Sequence, residues 1–263
     1  MKKTLLLLLS VTLLVSADAQ ISKLFKKKKP APASYVKEKP APVAKKDWSK
    51  IDLSKRPADH LMIQYGSDVW LGRPDSARTT GFSRSFNIYA MMDKPFKSNP
   101  YFSIAYGIGI GSSNIFFDKV NVQVAANSPS LPFSDVSNAN HFNKFKVTTM
   151  YVEIPIEIRH YSNPENPNKS WKMAAGVKLG TLLKAYTKGK DLQDKNGNSI
   201  YGASYIEKHD NSKFFNSLIA TASARIGYGA FSLHGDFQIT SVVKPGLGPD
   251  IHTLTIGLTL SGL

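Results

Sequence analysis

Val147-Thr148-Thr149-Met150-Tyr151-Val152-Glu153-Ile154-Pro155-Ile156-Glu157-Ile158-Arg159-His160 is the stretch that decides the fold. Val152, Ile154, Ile156 and Ile158 share one parity, while Tyr151, Glu153, Glu157 and Arg159 share the other. Alternate residues of a strand point to opposite faces, whereas a helix would scatter these groups around its axis. The segment therefore reads as a strand with one greasy face and one charged face.

Outward from it the pattern recurs. Trp171 to Lys184 sets Trp171, Met173, Ala175, Val177 and Leu179 against Lys172, Lys178 and Lys184. Phe231 to Thr240 sets Phe231, Leu233, Phe237 and Ile239 against Ser232, His234, Asp236 and Gln238, and His252 to Leu260 sets Leu254, Ile256, Leu258 and Leu260 against Thr253, Thr255 and Thr259. Leu61 to Trp70, Gly81 to Met91, Tyr101 to Ser112 and Phe214 to Tyr228 bring the count to eight. In Tyr101 to Ser112 one face carries only Ser103, Ala105, Gly107 and Gly109, which leaves room for bulky side chains opposite.

Short and long connections alternate along the chain. The short ones hold turn formers: Asp93 to Pro100, Ser162 to Lys169, and Tyr228-Gly229-Ala230. Barrels of outer membranes have this asymmetry, with short periplasmic turns, longer external loops and, for an even strand number, both termini in the periplasm. A water-soluble barrel of the lipocalin kind would turn the apolar face inward instead, and alternation alone does not separate the two. Strands of nine or more residues favour lipid outside, as do aromatics near strand ends: Trp70, Phe82, Tyr101, Trp171, Phe214 and Phe231 are candidates for girdles. The fold expected for 59–263 is all-β, an eight-stranded antiparallel up-and-down transmembrane β-barrel. Eight strands enclose an interior filled by side chains, so no wide pore is expected.

The beginning of the chain supports export. Met1-Lys2-Lys3 is basic, Leu5 to Val15 is apolar but too short to span hydrocarbon, and Ala17-Asp18-Ala19 has the small-x-small form of a cleavage site. Residues 1–19 read as a signal peptide, with the mature protein beginning at Gln20. Residues 20–58 read as a disordered, basic, periplasmic linker that packs no core. Within it, Ile21 to Pro57 holds 12 Lys and Arg against 3 acids, and Lys29-Pro30-Ala31-Pro32 recurs as Lys39-Pro40-Ala41-Pro42. Such an arm either reaches an anionic partner, lipid headgroups or cell-wall polymer, or is simply a solvated tether. Nucleic acid is not an expected partner, because no platform of interleaved basic and aromatic residues is present. The chain of 263 residues has no cysteine, which excludes disulfides, thiolate metal sites and a cysteine nucleophile.

On Tyr151 to Arg159, with its Glu153-Ile154-Pro155, the chain resembles the PorT-like outer-membrane β-barrel family of Bacteroidetes. Gly176-Val177-Lys178-Leu179-Gly180, the Gly-rich strand Gly107 to Gly111, and Ile256-Gly257-Leu258 extend the likeness, which spans Leu61 to Leu263. The resemblance implies an eight-stranded outer-membrane barrel. Namesake members serve type IX secretion and gliding, so an accessory role in secretion or envelope assembly is one that the resemblance implies.

The inward parity gathers Glu153, Glu157, Arg159, Lys172, Lys178, Arg225, His234 and Asp236, with Lys184 on the same count. Unpaired charges in a narrow lumen are costly, so they are expected to pair across strands as a structural plug, Glu153 or Glu157 with Lys178 and Asp236 with Arg225. Pro155 removes a ladder donor, so a bulge or a lumen side chain is expected to compensate near Glu153 to Glu157. Ser232, His234 and Asp236 suggest a nucleophile triad, but alternate residues on one strand stand about 6.6 Å apart, too far for contact. The six histidines are scattered without ligand spacing, and no metal or cofactor is expected.

Loops 113–144 and 186–213 are the expected interaction surfaces. The first carries Ile115, Phe116, Phe117, Leu131, Phe133 and Phe142 and is expected to fold over the barrel mouth; the second is polar. The functional reading is a non-enzymatic outer-membrane protein acting as a structural or interaction platform, with outer-membrane lipid and envelope or secretion proteins as partners. A conduit for a small hydrophobic ligand or ion, and a barrel hydrolase acting on lipid, are the alternatives.

Overall fold

The computed structural model describes residues 59–80 and 82–262 together with Ile51, Leu53 and Arg56. The expected signal peptide, 1–19, and the expected linker, 20–58, apart from those three residues, lie outside the described residues. Eleven strands follow in order: β1 (Asp59–Leu71), β2 (Arg84–Phe96), β3 (Asn99–Phe117), β4 (Val120–Val122), β5 (Phe133–Asp135), β6 (His141–Tyr161), β7 (Trp171–Gln193), β8 (Ile206–Asp210), β9 (Leu218–Tyr228), β10 (Phe231–Gln238) and β11 (His252–Ser261).

Eight of them close into a barrel. Antiparallel pairing runs β6-β3-β2-β1-β11-β10-β9-β7, and β6 pairs with β7 to complete the ring. Sequence neighbours pair through the turns at 97–98, 162–170 and 229–230, the second containing a 3-10 turn at Pro167–Lys169 and the third using Gly229 at a φ of 59°. Ile158 is 57% exposed and Glu157 is 2% exposed, so the greasy parity of the opening stretch faces outward and the charged parity faces the lumen. An apolar wall around a charged interior is stable only where hydrocarbon replaces water outside. The bare face of β3 makes room as expected: a Cβ on Gly109 would enter the Tyr89 ring, and one on Gly111 would enter the Glu153 carboxylate.

Several strands are longer than the sequence pattern indicates. β6 has 21 residues and β7 has 23, whereas a tilted strand crosses a bilayer in about 10. Roughly half of each stands clear of the hydrocarbon. The expected loop 113–144 therefore shrinks to 118–140, with β3 continuing to Phe117 and β4 pairing β5 inside it, and loop 186–213 is shortened by β7 and the added strand β8. Periodicity misses these extensions because beyond the membrane the pattern inverts, with apolar residues turned inward and many polar or charged ones turned outward. Ile115 and Phe117 bury inward, and Phe116 lies under Arg84 on the outside, its ring centre 5.2 Å from the guanidinium.

Leu183 is an extra residue in β7: Tyr151 pairs with Leu182 and Met150 with Lys184. A one-residue bulge reverses parity beyond it. Lys184 consequently points outward, where it meets Asp210 at 3.2 Å, and not into the lumen as simple alternation indicates. Pro155 causes no bulge. The β3–β6 register is the same on both sides of it, Tyr106 with Ile156 and Gly109 with Glu153, and only the two intervening pairs lapse.

Ile115, Phe117, Phe145, Val147, Phe214, Phe215, Val242, Val243 and Ile251 form an apolar core where the long loops meet the barrel. Trp70 and Phe214 belong to this core at 4% and 0% exposure, so these two are not girdle residues. Their neighbours are loop residues folded back over the mouth, which strand patterning does not reveal. Trp171, Tyr228 and Phe231 are exposed at the short-turn end, with the Trp171 and Tyr228 rings 5.7 Å apart edge to face.

Candidate functional site

The lumen is built by the inward residues of all eight barrel strands, in layers from the short-turn end upward. The lowest layer involves a residue of the arm. Arg56 Nε and Nη2 donate to Asp93 Oδ2 at 3.0 and 2.5 Å, Nη1 donates to the Pro100 carbonyl at 3.2 Å, and the guanidinium lies 4.4 Å from the centre of the Tyr161 ring. At Arg56 the chain departs from the expectation that the segment before the barrel packs no core. Arg56 is buried because Asp93, already bonded by Ser103 Oγ at 2.6 Å, is a buried carboxylate that needs a cation.

From Asp93 the charges alternate across the lumen. Arg159 Nη1 lies 3.8 Å from Asp93 Oδ1, Arg159 Nε donates to Glu157 Oε2 at 2.9 Å, and Arg225 Nη2 donates to the same oxygen at 2.9 Å. Lys172 completes this end, with its ammonium 5.7 Å from the centre of the Tyr161 ring. In the next layer Lys178 Nζ donates to Asp236 Oδ2 at 2.6 Å and to Gln64 Oε1 at 2.7 Å, and Tyr89 donates to Glu153 Oε2 at 2.5 Å. The partners differ in part from the pairing expected: Lys178 lies within electrostatic range of Glu153 as anticipated, but its closest contacts are elsewhere. Asp236 binds Lys178 rather than Arg225, and Glu157 binds the two arginines rather than Lys178. Long side chains in a narrow cylinder reach across the axis, so a contact depends on height and reach more than on adjacency along the wall.

His234 bonds Thr259 Oγ1 through Nδ1 at 2.9 Å, and its Nε2 is 4.0 Å from Asp236 Oδ2. Ser232 Oγ has no hydrogen-bond partner among the described residues, so the three triad-like side chains are not linked. No group of three or more metal-type ligands converges among the described residues.

Above the ion pairs lies a polar cavity of about 60 Å³, lined by Asp68, Ser85, Tyr151, Lys178, Asp236 and Thr255 among others. Asp68 accepts from Ser113 Oγ at 2.5 Å and from Thr255 Oγ1 at 2.7 Å. That volume suits a few water molecules and no larger solute. The apolar core then closes the mouth. On its outer surface two grooves of about 280 and 210 Å³ flank Phe142 and Phe145, whose rings stack at 6.0 Å; Glu207 lines both. Arg78 ties the β1–β2 loop to Asp135 of β5 through two bonds of 2.9 Å.

A closed antiparallel cylinder with an apolar exterior, a filled charged interior and long loops at one end defines a transmembrane β-barrel. The chain belongs to the family described as outer membrane protein beta-barrel domain, which matches residues 62–249, and the protein is therefore one of the outer membrane. Among solved structures it is similar to Ail, the attachment invasion locus protein of Yersinia pestis, in complex with the heparin analogue sucrose octasulfate, at 14% identity over 78% of this chain and 97% of that one, with a TM-score of 0.33. A second structure of Ail gives 12% identity over the same shares and a TM-score of 0.28. No curated protein matches the chain.

Proposed function

We propose that this barrel is a non-enzymatic structural or interaction platform whose working surface is the loop-built cap and not the lumen. The observation that carries this reading is a contrast between the two. The lumen is blocked by salt-bridged layers down to a cavity of about 60 Å³, while β3, β6 and β7 continue past the membrane to support a cap with its own apolar core and open grooves beside Phe142. A transport path needs an open axis instead.

In this reading both ends of the barrel face the periplasm, since β1 starts and β11 ends at the short-turn end. The finer role, a PorT-like accessory of type IX secretion or envelope assembly, is supported by the likeness carried on Glu153-Ile154-Pro155 and the strands around it. The test is crosslinking in whole envelopes, comparing the full-length protein with a variant in which residues 119–138 are replaced by a short Gly/Ser linker. Capture of a defined partner by the first and its loss from the second is the expected result. Identical capture by both would remove the cap from the function.

A further inference from the structure

The extensions of β6, β7 and β8 place lysines in register. Lys146 pairs with Lys188 and Lys188 with Lys208, a row of three on adjacent strands; Lys144 pairs with Lys190 one row further out, and Lys184, paired with Met150, lies two rows nearer the membrane. Paired strands lie about 4.8 Å apart, so the row spans about 10 Å. The opposite face of these strands carries Phe145, Val147, Ala185 and Thr187, all buried, so the ammonium groups have no inward alternative.

Like charges directly opposite one another weaken strand pairing. Lys146 lies within range of the like charges of Lys188 and Arg84. Asp210 on the same face answers only Lys184 at 3.2 Å and Lys208 at 3.4 Å. Among the described residues no carboxylate comes within 4.0 Å of Lys144, Lys146, Lys188 or Lys190. Two rings hold the patch in place, Tyr186 at 4.1 Å from Lys208 and Phe116 at 5.7 Å from Lys146.

The position of the patch identifies what it meets. On β7 the lipid-facing side chains run through Val177 and Leu179 to Leu183, 57% exposed, and Lys184 follows at once. On β6 the lipid-facing Ile154 and Val152 give way to Met150, Thr148 and then Lys146. Four residues of tilted strand rise about 10 Å, so these lysines stand at and just above the edge of the hydrocarbon, within reach of headgroups for a flexible four-carbon stem.

We propose that the outward lysines of β6, β7 and β8 form a docking surface for phosphate-bearing lipid headgroups of the leaflet on the long-loop side, with the Lys146–Lys188–Lys208 row as its centre. The bound phosphates neutralise the cross-strand repulsion, so lipid binding and pairing of the extended strands support each other.

The test uses full-length protein in detergent micelles, with lipid retention read by native mass spectrometry. Phosphatidic acid, a phosphomonoester, is to be retained at least tenfold over phosphatidylcholine. Lys146→Gln, Lys188→Gln and Lys208→Gln together should reduce that preference below twofold. The three corresponding Lys→Arg changes should keep it, as should Gln at Lys195, Lys213 and Lys244 elsewhere on the loops. Should the Gln variant fail to fold, the wild-type preference and the Arg variant decide the matter. The proposal is overturned if the wild type shows no preference, if the folded Gln variant keeps it, or if inorganic phosphate at the lipid's own concentration displaces the lipid. Stronger capture of a poly-glutamate peptide by the same lysines would likewise overturn it and assign the surface to a protein partner.

Discussion

Arg56 and Asp93 form the pair that seals the short-turn end, and both side chains are almost wholly withdrawn from solvent. Removing one partner of a buried pair leaves the other charge uncompensated, which costs far more than the pair itself contributes. Arg56→Ala leaves Asp93 with Ser103 and a distant Arg159, and should destabilise the barrel by about 3–5 kcal/mol in urea unfolding from lipid vesicles. Arg56→Lys should recover part of that, because an ammonium cannot reproduce the two donors that the guanidinium directs at one carboxylate. A loss for Arg56→Ala below about 1 kcal/mol, the scale of a surface ion pair, would mean that Arg56 does not occupy this site in the folded protein.

Individual strands change character along their length. β6 and β7 face hydrocarbon outside and charge inside near their short-turn ends, then an apolar core inside and lysines outside beyond Leu183. The same substitution should therefore have opposite consequences at two outward positions. Ile156→Lys, in the lipid-facing band, should cost about 2–4 kcal/mol, while Ile206→Lys in β8 should cost close to nothing. Comparing the two unfolding midpoints in one lipid checks the assignment, and equal costs would place the membrane boundary elsewhere. Alternation reports only that two faces differ. It does not reveal the bulge at Leu183, because an inserted leucine between Leu182 and Lys184 looks like any other apolar residue, and Lys184 therefore faces outward where simple alternation points it inward.

The described residues form a barrel filled by ion pairs and capped by an apolar core. With Arg159, Glu157 and Arg225 bridging the lumen below and Phe214, Phe215 and Ile251 closing it above, reconstitution into planar bilayers should give no stepwise conductance. Steady ohmic steps of porin size would mean that the layers part in the membrane. The outward Ile154, Ile156 and Ile158 should also make the protein aggregate on dilution from detergent, measurable by light scattering, since such a continuous apolar wall has no water-soluble counterpart.

The barrel itself is legible in the sequence. The eight barrel strands, their parity and lumen charges such as Glu153, Glu157, Lys178 and Asp236 follow from a period of two in residues such as Val152 to Arg159, because a pleated chain has only two faces to offer. Which charges meet, how far β6 and β7 run beyond the membrane, that Trp70 and Phe214 are buried, and that Arg56 enters from the arm all required the closed fold. Periodicity is a local property of the chain, whereas reach across a lumen, a parity reversal at a bulge and burial beneath a folded loop depend on residues far apart in sequence being brought together.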